Sequence, residues 1–283
     1  MFDRLRTYAS FVRISHSVFA LPFALVGALL ATEVEPWSWT RGLWIVVCMV
    51  TARSAAMGFN RLADVAYDAR NPRTAMRELP QGRMSRREAI AFVVVSSLAF
   101  VYGASHLGWI CLALSPVALA IVFWYSFAKR FTSYAQLFLG LAMAVAPVGG
   151  WLAAGGREGW EPWLLGLAIG AWVGGFDVLY ACQDVDVDRR EGLHSIPVRF
   201  GIARALSISR FMHVVAVVTL AALGVVADLG TVYMAGVVGV AALLVYEQSL
   251  VRQDDLSKVK LAFDLNGWVG LLYLATTAAD LFL

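Results

Sequence analysis

The sequence predicts an all-α, polytopic membrane protein with nine transmembrane helices in one bundle. Three observations lead there. Of 283 residues, 60% are hydrophobic and 15% charged, against about 45–50% and about 25% in an average soluble domain. The mean hydropathy of +0.69 leaves too little polar surface to coat a water-soluble globule. Apolar runs near the length of about 20 residues that a spanning helix needs recur nine times along the chain. This composition excludes an ordinary cytosolic enzyme, a disordered chain and a fibrous repeat. Nine spans with short connections fill the length, so residues 1–283 are expected to form a single membrane domain.

The first run, 14–32, follows Arg4, Arg6 and Arg13 and mimics a secretory signal. It lacks a small-residue cleavage site and eight runs follow it, so it reads as an uncleaved first helix. The others lie near 41–60, 88–106, 109–128, 134–154, 162–183, 204–227, 231–250 and 263–283. Pro22, Pro116 and Pro147 fall inside runs, which membrane helices tolerate because neighbours satisfy the freed carbonyls. Trp37, Trp39, Trp44, Trp109, Trp160 and Trp163 fall near outer ends, as an interfacial belt does. Gly149, Gly150, Gly155 and Gly156 suit close helix approach or a turn. Residues Gly192 to Gly201 read as a turn-rich loop capping the functional end.

Cys48, Cys111 and Cys182 sit apart in apolar stretches, which argues against a disulfide framework and a zinc site. His16, His106, His194 and His213 have no ligand spacing, although His194 lies close to an acidic cluster described below.

The formal charge of +3 matters less than its placement. The N-terminal segment holds three basic residues, and the segments after spans 2, 4, 6 and 8 hold seven, two, five and three. Twenty of the 23 Lys and Arg therefore fall on one side; only Arg41 and Arg157 lie opposite, and Arg53 lies within span 2. The positive-inside rule makes the N-terminus and the basic connections cytoplasmic and the C-terminus external, in a cell (inner) membrane.

Two basic-side connections also carry carboxylates. After span 2, Asn60, Asp64 and Asp68 are spaced four and four. If the helix continues, they line one face over about 12 Å. After span 6, Asp184 and Asp188 share a face while Asp186 points elsewhere. Paired carboxylates suit Mg²⁺, a hard cation shared between one or two carboxylates and substrate phosphates. Four aspartates match two Mg²⁺ ions, leaving a diphosphate to be balanced by Arg73, Arg77, Lys129, Arg130, Arg189 and Arg190. Solvated ion pairs at helix ends are the competing reading. Two stations of equal spacing on one side, each followed by arginines, favour a diphosphate site.

These residues resemble the UbiA family of intramembrane aromatic prenyltransferases. Asn60–Asp64–Asp68 matches its N-x-x-x-D-x-x-x-D motif, and Asp184–Asp188 its D-x-x-x-D motif. Arg73-Thr74-Ala75-Met76-Arg77-Glu78-Leu79-Pro80-Gln81-Gly82 is similar to R-T-x-x-R-P-L-P-x-G, departing at Glu78 where many members have Pro. Tyr125 through Arg130, then Phe131-Thr132, resembles Y-x-x-x-K-R-x-T. The resemblance covers essentially the whole chain. The stretches from Ala69 to Pro80 and from Tyr180 to Val185 are similar to the 4-hydroxybenzoate polyprenyltransferase-like branch, which includes the enzyme of the futalosine menaquinone route.

The resemblance implies Mg²⁺-dependent transfer of a polyprenyl group from an isoprenyl diphosphate to an aromatic acid in quinone biosynthesis. The acceptor is 4-hydroxybenzoate or 1,4-dihydroxy-6-naphthoate. Asp64, Asp68, Asp184 and Asp188 are the implied metal ligands and catalytic residues, with Asn60 as an oxygen donor. Arg73, Arg77, Lys129 and Arg130 are implied to neutralise the leaving group, and Tyr125 to line the substrate site. It also implies a site open sideways to lipid. Arg53, an intramembrane charge on the face of Asn60, is a candidate partner for the acceptor carboxylate, as is Arg130. Alternatively Arg53 pairs with Asp177, or Asp177 orients the acceptor phenol. The expected partners are lipid and substrates, with no nucleic acid and no obligate protein. The rival classes are a transporter using intramembrane acids, whose sites lie nearer the midplane, and a lipid-head-group phosphotransferase, whose D-G-x-x-A-R motif is absent.

Overall fold

Apolar periodicity resolves into helices throughout the computed structural model, which describes residues 7–8, 10–12, 20–33 and 37–283. Arg4, Arg6, Arg13, His16 and the first part of span 1 lie outside the described residues. The helices are α1 (Leu21–Leu30), α2 (Trp39–Asp68), α3 (Arg86–Ser105), α4 (Trp109–Trp124), α5 (Ala135–Ala153) and α6 (Glu161–Ala181). Two short helices follow, α7 (Val185–Arg190) and α8 (Ile196–Phe200), then α9 (Ile202–Val226), α10 (Thr231–Leu250) and α11 (Val259–Phe282). Among the described residues the only β pairing is an isolated bridge between Arg252 and Asp255.

Seven segments are long and apolar enough to cross a membrane: α2, α3, α4 with the turns after it, α5, α6 continuing through α7, α9 and α10. The described part of the first span is the shorter α1, in which Pro22 occupies the first turn rather than the interior. Helix α11 is 24 residues long, but Asp264, Asn266 and Asp280 dilute its apolar character.

Local chemistry sets the boundaries that matter for function. Helix α2 runs 30 residues without a break and stops before Pro72, whose ring disfavours helix in the residue ahead of it. Helix α3 opens on a capping box: the Glu88 amide donates to Ser85 Oγ at 3.2 Å and the Ser85 amide to the Glu88 carboxylate at 2.8 Å. Pro116 and Pro147 lie inside α4 and α5, as expected.

Helix α6 is the axis of the bundle, packed between α5 and α9, while α2 pairs with α3, α10 with α11, and α1 with α5. Its hydropathic segment is 67% buried, against 11% for that of α4, which faces outward. Small residues allow the close packing. A Cβ at Gly140 of α5 would lie 2.3 Å from the Gly170 carbonyl oxygen of α6, and one at Gly150 would lie 1.9 Å from that of Ala24 in α1. Gly149 faces open space, so only one glycine of that pair serves helix approach. Trp39, Trp109 and Trp160 stand exposed at the starts of α2, α4 and α6, in keeping with the interfacial belt.

Candidate active site

The unbroken α2 delivers Asn60, Asp64 and Asp68 to one face near its C-terminal end, and Asn60 donates its amide N–H to Asp64 at 3.1 Å. The second station is built differently. Helix α6 ends at Ala181, a 3₁₀ turn covers Cys182–Asp184, and α7 restarts at Val185. Asp184 and Asp188 are both buried despite this break, whereas Asp186 is exposed.

Each of the four carboxylates meets its own base. Arg130 Nη2 donates to Asp64 at 3.1 Å, and Arg77 Nη1 to both oxygens of Asp68 at 2.8 Å. Arg73 grips Asp184 through Nε at 3.1 Å and Nη2 at 2.6 Å, and Lys129 Nζ donates to Asp188 at 3.0 Å. Neighbours in sequence, Lys129 and Arg130, thus diverge from one short turn to opposite stations. Burial acts to lower the Arg73 guanidinium, but the hydrogen bonds and charge of Asp184 push it above its ordinary value.

The connection after α2 straps the stations together. It begins beside Asp68 yet reaches Asp184 with Arg73 and with Asn71 Nδ2 at 3.3 Å, while Arg70 pairs with Glu191 at 2.9 Å. Arg73 Nη1 also donates to the Tyr180 hydroxyl at 2.8 Å, and its guanidinium lies 5.0 Å from the centre of that ring. Glu78, the departure noted above, fixes the far end of the strap. It forms a buried ion pair with Arg61 of α2 at 3.2 Å and accepts a hydrogen bond from Ser10 at 2.5 Å.

Below the stations lies an apolar cavity of about 730 Å³, walled by α1 to α6 and by Met212 of α9. Arg53, Tyr125, Ser115, Cys48 and Cys111 are polar or sulfur-bearing points in that wall. Arg53 makes no ion pair among the described residues, and its Nε is buried without a hydrogen-bond partner; the alternative pairing with Asp177 is not formed. Tyr125 lines the cavity and opens the 3₁₀ turn that leads to Lys129 and Arg130, so it links the cavity wall to the turn serving both stations. Asp177 is half-buried on α6 within the influence of Lys129, Asp184 and Asp188.

Not every candidate converges. Arg189 and Arg190 are exposed, and Arg190 turns its Nε back to the Asp186 carbonyl. His194 contributes its backbone amide to the Lys129 carbonyl at 2.7 Å, holding the turn that presents Lys129. The loop from Gly192 to Gly201 contains α8 and packs on this side through Ile196, whose amide donates to Gln136. Reading the sequence missed Arg61, Glu78, Asn71 and Tyr180 as parts of the site. Glu78 carried a signal, as an acid where the resembling family has Pro, and Asn71 and Tyr180 lie in the two stretches that resemble the 4-hydroxybenzoate branch; Arg61 carried none. The three cysteines are free thiols.

The donor set fits Mg²⁺: four hard carboxylates in two pairs, an adjacent amide, and no thiolate or imidazole among them. No three His, Cys, Asp or Glu side chains among the described residues form a ready-made cage, so ligands beyond each pair must come from elsewhere.

Comparison with known proteins agrees with this arrangement. The profile of the UbiA prenyltransferase family matches residues 20–272. A 4-hydroxybenzoate octaprenyltransferase of Marinobacter nauticus is 33% identical over 282 residues, covering 98% of this chain and 95% of its own. One of Vibrio campbellii is 29% identical over 272 residues, with 95% of each chain covered. The apo structure of a UbiA homolog from Aeropyrum pernix K1 superposes with a TM-score of 0.87 at 35% identity, covering 94% of this chain and 98% of that one. A UbiA homolog from Archaeoglobus fulgidus bound to GPP and Mg²⁺ shares the fold, with a TM-score of 0.69 at 19% identity, covering 98% of this chain and 100% of that one. Aspartates and bases gathered above an apolar cavity in a helical membrane bundle thus accompany a family match over most of the length: the chain belongs to the UbiA prenyltransferase family and is a membrane prenyltransferase.

Proposed function

We propose that this enzyme transfers a polyprenyl group from an isoprenyl diphosphate to an aromatic carboxylic acid bearing a phenol, with Mg²⁺, in quinone biosynthesis. The acceptor is 4-hydroxybenzoate or 1,4-dihydroxy-6-naphthoate. The observation that carries this reading is the meeting of four paired aspartates and four bases with an apolar cavity that contains one unpaired guanidinium. The names of the curated relatives support 4-hydroxybenzoate, and the Archaeoglobus complex supports a prenyl diphosphate with Mg²⁺.

In this reading Asp64, Asp68, Asp184 and Asp188 hold two Mg²⁺ ions, with Asn60 as a further oxygen donor. When bound, Mg²⁺ supplies positive charge against the negative charge developing on the departing diphosphate. Arg73, Arg77, Lys129 and Arg130 add positive charge at the same rim, against the same developing negative charge. The C1–O bond of the allylic donor breaks, the ring carbon ortho to the phenol forms the new C–C bond, and loss of the ring proton restores aromaticity. The apolar cavity takes the tail and excludes water from the allylic cation, while Arg53 pairs with the acceptor carboxylate and Tyr125 lies between the two substrates. The tail is lipid-soluble and the diphosphate is not, and an apolar cavity beneath a charged rim accommodates both.

We further propose nine crossings, the seven apolar segments joined by the first span and α11. The basic rim and N-terminus are cytoplasmic and the C-terminus external in the inner membrane, as the one-sided placement of Lys and Arg supports. The test is purified enzyme given an isoprenyl diphosphate and each acid in turn, with products identified by mass spectrometry. Prenylation of one acid, lost on chelation with EDTA and restored by Mg²⁺, is expected. Turnover of neither acid, or full activity in EDTA, overturns the reading.

A further inference from the structure

Each metal-binding aspartate of the proposed site is already matched by one base. The four pairs, Arg130–Asp64, Arg77–Asp68, Arg73–Asp184 and Lys129–Asp188, span 2.6 to 3.1 Å. Three of the four carboxylate side chains are at most 9% exposed, and the fourth, Asp64, is 29% exposed. Four negative charges face four positive ones, so each pair is neutral in itself, and one donor group of every base is committed to its carboxylate.

That pairing creates a problem for either ligand alone. A divalent cation entering by itself must displace a base from its carboxylate, and the displaced cation then has no anion to meet and sits beside a second positive charge. A diphosphate entering by itself finds the Arg73 fork and the Nη1 of Arg77 engaged with carboxylates and meets four aspartates that repel it. Together the ligands relieve both conflicts: the carboxylates turn to the metal and the bases turn to phosphate oxygens, for which a guanidinium fork is as well suited as for carboxylate. The donor count agrees, because each station offers a pair of carboxylates and no cluster of three metal-ligating side chains exists among the described residues. A six-coordinate Mg²⁺ must complete its shell from phosphate and water.

We propose that Arg73, Arg77, Lys129 and Arg130 act as placeholders for the metal, so that divalent cation and diphosphate bind as a coupled pair by exchange of partners. This rests on the reading of the site given above, and assigns the bases a second role opposite in sign to the first. They oppose the metal until diphosphate arrives, and then hold the diphosphate. Coupling between the ligands is reciprocal and, at the usual scale, amounts to about 5–150-fold in affinity. The exchange neutralises each carboxylate in turn and selects the metal–diphosphate complex over free cation.

The experiment measures Mn²⁺ affinity of the purified full chain in detergent by titration calorimetry at buffered free Mn²⁺, with and without saturating inorganic diphosphate. Wild-type enzyme is expected to bind Mn²⁺ at least about 5-fold more tightly with diphosphate present. Arg73→Gln and Lys129→Gln are expected to bind Mn²⁺ alone more tightly than wild type, to bind diphosphate more weakly, and to lose most of the coupling. Lys129→Arg, which keeps an ion pair, restores it. Arg189→Gln removes the same charge from an exposed neighbour with no partner at the rim, and controls for net charge; it is expected to leave Mn²⁺ affinity within about 2-fold. Equal Mn²⁺ affinity with and without diphosphate, in an enzyme that transfers prenyl groups, overturns the exchange alone. An equal gain in Arg189→Gln and Arg73→Gln also overturns it, reducing the effect to overall charge. Absence of Mn²⁺ binding under both conditions overturns the metal reading beneath it.

Discussion

The two acidic stations share a four-residue spacing and each takes one base from the connection after α2 and one from the turn after α4, but they differ in the backbone that sets the spacing. Asp64 and Asp68 ride one uninterrupted helix, so their common face follows from helix geometry alone. Asp184 and Asp188 straddle the junction between a 3₁₀ turn and a new helix, and their convergence depends on what grips them from outside: Arg73 and Asn71 from the connection after α2, and Lys129 from the turn after α4. The first station is local and partly open, since Asp64 keeps 29% of its side-chain surface. The second is assembled from three distant segments and is nearly closed. Identical sequence spacing therefore conceals one site made by secondary structure and another made by tertiary structure.

The largest expected effect tests whether that difference reaches the chemistry. Asp64→Ala and Asp184→Ala should each lower kcat for prenyl transfer by roughly 10³-fold, the upper scale for removing one electrostatic contact to a leaving oxyanion. Asp186→Ala, exposed on the same short helix as Asp188, should stay within about 2-fold, as surface substitutions do. A large loss at one station only would show that a single carboxylate pair suffices. A large loss at Asp186 would mean that the second station is aligned differently from the arrangement described.

A smaller effect bears on the strap between the stations. Glu78→Ala leaves Arg61 buried without its carboxylate partner, at a cost of about 3 kcal/mol, the lower end for breaking a buried ion pair. The expected readout is a lowered Tm, with replacement of both partners by apolar residues recovering much of the loss. Because Arg73 and Arg77 lie on the strap, Glu78→Gln should raise the KM for prenyl diphosphate more than that for the acceptor. Equal changes in both would separate the tether from the rim.

How much of this was legible in the sequence follows the same division. Seven of the nine expected spans, the face of Asn60, Asp64 and Asp68, and four of the six bases named for the rim are legible, because each depends on apolar run length, helical period or charge placement. The interruption at Cys182–Asp184 was not, since no Gly or Pro lies between Tyr180 and Arg190 and the break reflects packing against distant segments. The burial of Arg61 and Glu78 has no local signal, because it is the folding of the strap back on α2 that buries them. Gly150 was read correctly as a point of close helix approach, while its neighbour Gly149 was not, because one residue of phase decides which of them faces α1. The cavity belongs to seven helices at once and leaves no mark on any single stretch of sequence.

The least dramatic prediction sharpens the comparison most, because it asks what the two long helices contribute below the rim. Helix α2 carries a cation into the cavity at Arg53, while the carboxylate of α6, Asp177, lies outside the cavity wall and does not pair with it. An intramembrane guanidinium with a buried, unpartnered Nε is costly to keep, and an anionic acceptor removes that cost. Arg53→Ala should therefore raise the KM for the aromatic acid roughly 10-fold, from about 1.5 kcal/mol for a charge-assisted hydrogen bond, with the KM for prenyl diphosphate little changed. Arg53→Lys should recover part of the loss, because it restores the charge without the planar fork. An unchanged acceptor KM in Arg53→Ala would remove Arg53 from the acceptor site. The expected split would make α2 the helix that addresses both substrates, its end turned to the diphosphate and its interior to the acid, with α6 addressing the diphosphate through the second station.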